Sequence, residues 1–338
     1  MFIFAAHDPG AKNHIRPVYL HALEVGEKAT WVDLSTRSEL MEWNHAHEYV
    51  VDNSIEILVT GSSICVKGGG VDRYQLPPNC EKPLIRACKS KKIPCISVVD
   101  LGIQGKFDEA NFQEISDRFL VTNSGCVSEL LDLGVDYDSI VLTGSAHLEA
   151  CANTKLKSGD VDVKCIYGLS PARNLISFFC GSDTTQSIEA VNSIANLLLE
   201  TQLTDFTIVV RPHPRMPRKN LLEEQVRKFD HVLYDKGGEP DTLLLLAASR
   251  VSFSMASITS LESLVVGTPS AFYQIGWDYE NLNNMYNNVM LVPRVRTREE
   301  LGIFIDRLFE NDRTPMSKNI EFQKGALARS WKAILELL

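Results

Sequence analysis

Apolar residues along this chain fall into two recurring patterns. Short continuous runs of β-branched and aromatic residues alternate with longer stretches in which apolar positions return every three or four residues. The first pattern suits strands buried on both faces, and the second suits amphipathic helices. Strands are expected at 2–6, 29–34, 55–60, 95–99, 118–122 and 140–143. Helices are expected from the loop after the first strand to about residue 25, then at 82–91 and 127–133. A polar stretch, 150–172, breaks the alternation and reads as a linker. The alternation resumes with strands at 175–180, 206–210, 231–234, 251–254, 270–274 and 289–292. Its helices are expected at 186–200, 221–229, 242–248, 259–266 and 298–311.

Alternating strands and helices with continuous apolar strands imply an α/β fold with parallel sheets covered on both faces. Two Rossmann-like domains are expected, 1–155 and 170–320, their sheets facing a central cleft. Apolar residues at helical spacing in 321–338 imply a last helix that can return to the first domain. A length of 338 residues fits two domains. The hydrophobic share of 44% and charged share of 23% are those of a globular protein. A net charge of −9 argues against a general nucleic-acid binder and leaves room for an anionic small molecule in a local basic pocket. The eight cysteines lack a C-x-x-C pair and lie in apolar surroundings, which reads as reduced thiols in the cytoplasm. No signal peptide or membrane-spanning run is expected, and a peripheral place at the inner face of a membrane stays open.

Candidate chemistry gathers where strands end. The run Phe206–Val210 leads into Arg211, His213 and Arg215, stiffened by Pro212, Pro214 and Pro217. Such a rim suits phosphate, because proline lowers the cost of ordering the loop; a solvated basic loop is the plain alternative. Ser182, in Gly181–Thr185, lies where hydroxyls and N–H groups meet an anion, or where Ser182 or Thr184 caps a helix. Ser257, Thr259 and Glu262 follow the strand at 251–254, with Thr259 and Glu262 at capping-box spacing. In the first domain the loop after 2–6 holds His7, Asp8, Asn13 and His14, and Gly10 is expected to permit a close backbone approach. Asp100, at the end of the strand at 95–99, is placed to take a proton from an acceptor hydroxyl, or to cap the following turn. His45 and His47 read as surface residues, and Asp160 with Asp162 as linker acids. Gly68–Gly70 reads as a loop or plain turn, and the loop at Asp235–Gly238 as the place for a nucleotide base.

The string from Ser252 to Ile275, containing ASITSLESLVVGTP, resembles the donor-binding helix of GT-B glycosyltransferases and of the related nucleotide-sugar 2-epimerases. The resemblance implies that Ser257 and Thr259 hold a donor phosphate and Glu262 the ribose. The segment Pro212-His213-Pro214 is similar to the His-Pro motif of bacterial sialyltransferases, Kdo transferases and CDP-glycerol polymerases, which implies that His213 contacts a cytidylate phosphate. Ile258 stands where those families have a second adjacent hydroxyl. Asp100 and Gly102 match the general-base motif of that sialyltransferase group, with Leu101 in place of its second acid.

The resemblance implies a metal-independent, inverting GT-B glycosyltransferase moving a sugar from a CMP-nonulosonate or CMP-Kdo donor to a surface glycan or glycolipid, with no cofactor. Asp100, His213, Asp8 and His14 are its expected catalytic groups. Ser182, Arg211, His213, Ser257, Thr259, Glu262 and Gly10 are expected to bind the donor. The alternative on the same fold is a UDP-sugar hydrolase or 2-epimerase, in which the His7–His14 loop acts on water or on a sugar C–H.

Overall fold

The computed structural model describes residues 1–62, 80–99, 116–154, 163–201, 205–214, 216–255, 257–276, 292–309 and 324–338. These fall into two compact units. One draws on 1–150 and 322–338, the other on 151–279 and 290–321.

The first unit contains strands β1 (Phe2–Ala6), β2 (Ala29–Asp33), β3 (Ile57–Thr60), β4 (Cys95–Val98), β5 (Arg118–Val121) and β6 (Ile140–Leu142), all paired parallel in the order β2-β1-β3-β4-β5-β6. Its helices are α1 (Pro9–Glu24), α2 (Trp43–Asp52), α3 (Lys82–Ser90), α4 (Ser124–Asp132) and α5 (Ala146–Asn153). Every residue of β1 is buried, with Phe2 and Phe4 on one face and Ile3 and Ala5 on the other. That two-sided burial is why the strand reads as a continuous apolar run. Helix α2 escapes the periodicity reading because its only buried positions are Ala46 and Val50, while Trp43 and Val51 are exposed.

The second unit contains β7 (Asn174–Phe179), β8 (Phe206–Arg211), β9 (Val232–Tyr234), β10 (Val251–Ser254), β11 (Ser270–Tyr273) and β12 (Arg294–Val295) in the order β12-β11-β10-β7-β8-β9, again all parallel. Its helices are α6 (Val163–Ile166), α7 (Thr184–Glu200), α8 (Lys219–Val226), α9 (Thr242–Ala248), α10 (Thr259–Val265) and α11 (Arg298–Phe309). Ile176, Phe178, Val210 and Phe253 pack with α7, α8 and α11 on one face. Leu175, Phe179 and Val209 pack with α6 and α9 on the other. The strand expected at 289–292 lies elsewhere: described Val292 is outside any strand, and β12 begins at Arg294.

The last helix, α12 (Ala326–Leu335), belongs to the first unit. The Trp331 ring lies tilted against that of Phe2 at 5.4 Å and meets the His21 ring edge-on at 5.6 Å, and Arg118 Nη1 donates to the Ala333 carbonyl at 2.7 Å. Glu149 on α5 accepts from the Gly325 and Leu327 N–H groups, which satisfies donors at the start of α12.

In both sheets the chain changes direction at one point, between β1 and β3 in the first unit and between β7 and β10 in the second. Ligands of open α/β sheets bind beyond the carboxyl ends of strands at such a switch. In the first unit that place is tightly packed: a Cβ on Gly61, just past β3, would lie 2.5 Å from Ala11 Cβ and 3.2 Å from Ala11 Cα in α1. Gly61 thus permits a close backbone approach to α1, in whose first turn Gly10 lies. Gly61→Ala is expected to cost about 1–3 kcal/mol by overpacking. A urea midpoint within error of the original would refute that packing.

Candidate functional site

The carboxyl edge of the second unit is built from the ends of β7, β8, β9 and β10. After β7, Asp183 caps α7 by accepting from the Gln186 N–H at 3.0 Å, so the cap is neither Ser182 nor Thr184. Ser182 is exposed, and Thr184 is buried in the first helical turn with no partner for its hydroxyl among the described residues.

After β10 the serines divide into two sets. Ser252 Oγ lies 2.9 Å from both Ser263 Oγ on α10 and Ser270 Oγ on β11, and Ser263 donates to the Thr268 carbonyl at 3.0 Å. Ser254 and Ser260 share a hydrogen bond of 2.7 Å. These hydroxyls let α10 pack closely on the sheet, and their hydrogen bonds are made within the protein. The second set stands at the edge: Ser257 Oγ is 3.0 Å from Thr259 Oγ1 and accepts from the Thr259 N–H at 3.3 Å. Glu262 is buried at 5% exposure in the same helix. The expected capping box is not formed, because Thr259 is already helical and the Glu262 N–H donates to the Ile258 carbonyl.

Arg211 departs from its expected role. It ends β8 rather than standing in the loop, and its Nε and Nη2 both donate to Asp235 Oδ2, at 2.8 and 2.5 Å. Nη2 also donates to the Pro240 carbonyl at 2.7 Å, and Nη1 to Thr242 Oγ1 at 3.2 Å. Four of its five N–H groups are thereby committed, and the guanidinium lies over the Phe179 ring at 5.9 Å. A phosphate would have to displace this network. Asp235 Oδ2 also accepts from the Tyr167 hydroxyl at 2.8 Å, and Oδ1 from the Gly237 N–H at 2.8 Å. Burial first, and the Asp235 hydrogen bond second, push the Tyr167 phenol well above its usual range. Arg211 and Asp235 thus tie β8, β9, α9 and Tyr167 into one block. His213, half-buried in the next turn, accepts from the Met216 N–H through its carbonyl at 2.9 Å. Arg215 lies outside the described residues.

In the first unit, Asp8 is the N-cap of α1 and accepts from the Ala11 N–H at 2.9 Å, a cap worth about 1 kcal/mol. That bond gives Asp8 a structural role that sequence reasoning did not weigh for it. His14 is buried at 3% exposure, with Nδ1 3.5 Å from Ser145 Oγ and its ring 5.6 Å from that of His147. Ser145 in turn caps α5 by accepting from the Leu148 N–H at 3.2 Å. Neither Ser145 nor His147 was singled out from the sequence, where nothing joins them to His14 across 131 positions. His45 is exposed beside Glu42, and His47 stacks on Trp43, as surface residues do. Asp100, Gly68–Gly70, Asp160 and Asp162 lie outside the described residues. Among the described residues no helix is long and apolar enough to cross a membrane.

No protein-family model matches the chain, and no curated protein does. Solved structures match it end to end. A UDP-GlcNAc 2-epimerase from Neisseria meningitidis bound to UDP-GlcNAc superimposes with a TM-score of 0.73 at 11% identity, over 99% of this chain and 100% of that one. The UDP-GlcNAc 2-epimerase of Methanocaldococcus jannaschii gives 0.70 at 12%, over 100% and 99%. The glycotransferase of kitacinnamycin gives 0.62 at 11%, over 99% and 98%. The chain has the GT-B type of fold. These structures lend no support to the resemblance to sialyltransferases or Kdo transferases, nor to a His-Pro motif.

The Asp235 cluster yields a direct stability test. Asp235→Ala leaves the Arg211 guanidinium buried without its counter-ion, at an expected cost of about 3–5 kcal/mol. Denaturant unfolding reads this, and a loss below about 1 kcal/mol would show that the pair does not hold the edge together.

Proposed function

We propose that this protein acts on a nucleotide-activated sugar, as a UDP-sugar 2-epimerase or hydrolase. The observation that carries this reading is the full-length likeness to folds described as UDP-GlcNAc 2-epimerases, two of them with UDP-GlcNAc bound. The side chains agree with it. In the second unit, Ser257, Thr259 and Glu262 offer hydroxyls and a carboxylate at the carboxyl edge for the nucleotide's phosphate and ribose. Arg211, already committed to Asp235, serves this site by holding the edge and does not itself take the phosphate.

In the first unit, His14 is the general acid-base. Its imidazole is buried, with Nδ1 3.5 Å from the Ser145 hydroxyl, and is of the residue type that most often gives or takes a proton in catalysis. Asp8 orients the start of α1 and thereby His14. Binding by His213 and Ser182, and acid-base work by Asp100, remain part of the proposal as contacts to the leaving nucleotide and the sugar. Transfer from a CMP-activated donor draws no support from the neighbouring folds.

The test is product analysis by NMR after incubation with UDP-GlcNAc in deuterated water. The expected outcome is deuterium at C2 of an epimerised product, or release of UDP with a free sugar. His14→Ala is expected to lower turnover at least 100-fold while leaving UDP affinity within about threefold, because general acid-base groups contribute on that scale. Turnover of CMP-sugars alone, or product formation only when an acceptor is added, would overturn the reading.

A further inference from the structure

The turn between β6 and α5 brings Ser145 to His14, and the first unit holds that turn from several sides. The N–H groups of Thr143 and Gly144 both donate to the Val121 carbonyl at the end of β5, at 3.0 and 3.2 Å. Gly144 has a φ of +80°, in the left-handed region that favours glycine. From α12, Arg329 Nε donates to the Thr143 carbonyl at 2.8 Å. Glu149, in the first turn of α5, accepts from the Gly325 and Leu327 N–H groups. The last helix therefore grips the turn on both sides of Ser145.

Ser145 and His14 are both buried, at 1% and 3% exposure. Ser145 Oγ accepts from the Leu148 N–H at 3.2 Å, which is the work of a helix cap, and it also lies 3.5 Å from His14 Nδ1. A hydroxyl oxygen has two acceptor lone pairs, so it can take the Leu148 N–H and an imidazole N–H together and still donate its own proton. A separation of 3.5 Å is at the long end of hydrogen-bond range. Hydrogen bonds of catalytic groups are often long before substrate binds and tighten with it. Nδ1 is the ring nitrogen turned to this hydroxyl, and the partner of one ring nitrogen decides where a neutral imidazole keeps its proton.

We propose that Ser145 is a positioning residue for His14: its oxygen accepts from the Nδ1–H and so leaves the Nε2 lone pair as the proton acceptor. The inference deepens the acid-base role given to His14 above and rests on it. A proton leaving water or a sugar C–H goes to Nε2, its bonding electrons stay on the oxygen or carbon, and the ring becomes imidazolium. Return of the proton from Nε2 restores the starting tautomer. His147 on α5, its ring 5.6 Å from that of His14, is the neighbouring titratable ring.

Capping and positioning are separated by the choice of variant, because glycine is a good N-cap residue and alanine a poor one. Ser145→Gly and Ser145→Ala remove the hydroxyl, and Ser145→Thr keeps it. Nitrogen NMR of protein carrying isotope-labelled histidine, at a pH where the ring is neutral, reads the tautomer, and His14→Gln identifies the His14 signals. The original protein and Ser145→Thr are expected to carry the His14 proton on Nδ1, and both hydroxyl-free variants to move it toward Nε2. With UDP-GlcNAc as substrate, Ser145→Gly and Ser145→Ala are both expected to lower kcat at least about tenfold with KM within about twofold, and Ser145→Thr to restore it. A proton on Nε2 in the original protein, or an unchanged His14 tautomer in the hydroxyl-free variants, overturns the proposal. So does a loss in Ser145→Ala that Ser145→Gly does not share, or a Ser145→Thr that matches Ser145→Ala in both readouts. If the tautomer moves as expected but no form turns over UDP-GlcNAc, the nucleotide-sugar reading fails and the Ser145–His14 contact stands.

Discussion

Parallel strands buried on both faces leave only their ends for chemistry, and this constraint organises the molecule. Within each sheet the side chains of β1, β7, β8 and β10 are consumed by packing on helices above and below. Backbone donors and acceptors along the strands are consumed by parallel pairing. What remains free to vary is the residue or two at the carboxyl end of each strand and the first turn of the following helix. There the chain places Asp8, Gly61, Asp183, Arg211, Asp235, Ser257 and Gln274.

Those end positions do different kinds of work. Asp8 and Asp183 stabilise helix starts, each by accepting a backbone N–H three residues on. Arg211 and Asp235 lock two strand ends and a turn together through a buried ion pair with a shared phenol. Ser257 and Thr259 stand half-buried and buried at the edge, and Gln274 carries an amide the fold leaves unpaired. Within the second unit, Asp183 and the Arg211–Asp235 pair hold the ends of β7, β8 and β9, on the same sheet edge as Ser257 and Thr259. A site set on strand ends is held more firmly than one set on loops alone.

Much of this architecture was legible in the chain because two-sided burial writes itself as continuous apolar runs. Strands 2–6 and 251–254 and helix 242–248 are found with the bounds that periodicity implies. Elements with little buried surface were not legible: α2 buries two side chains, and α5 runs into the polar stretch at 150–172 with no marked apolar stripe. The chemistry was legible by residue type but not by partner. Arg211 reads as a phosphate ligand from its neighbours in sequence, yet the acid that claims it is 24 residues away. His14 reads as one histidine in a loop, and the serine beside it comes from the far end of the unit's sheet. Gln274 was absorbed into a strand because it follows four buried residues, and only the three-dimensional fold shows its amide without a partner. Long-range pairing is the information that a local pattern lacks.

The central claim is that the nucleotide seats at the carboxyl edge of the second unit, where β10 and β11 end. Hydrogen–deuterium exchange with and without saturating UDP tests it most directly, because a ligand that binds the folded state protects the backbone it touches. The account expects slowed exchange in peptides covering 254–262 and 270–276, with peptides of β1 and β2 unchanged. Protection confined to the first unit, or none in those two segments at saturation, would contradict it.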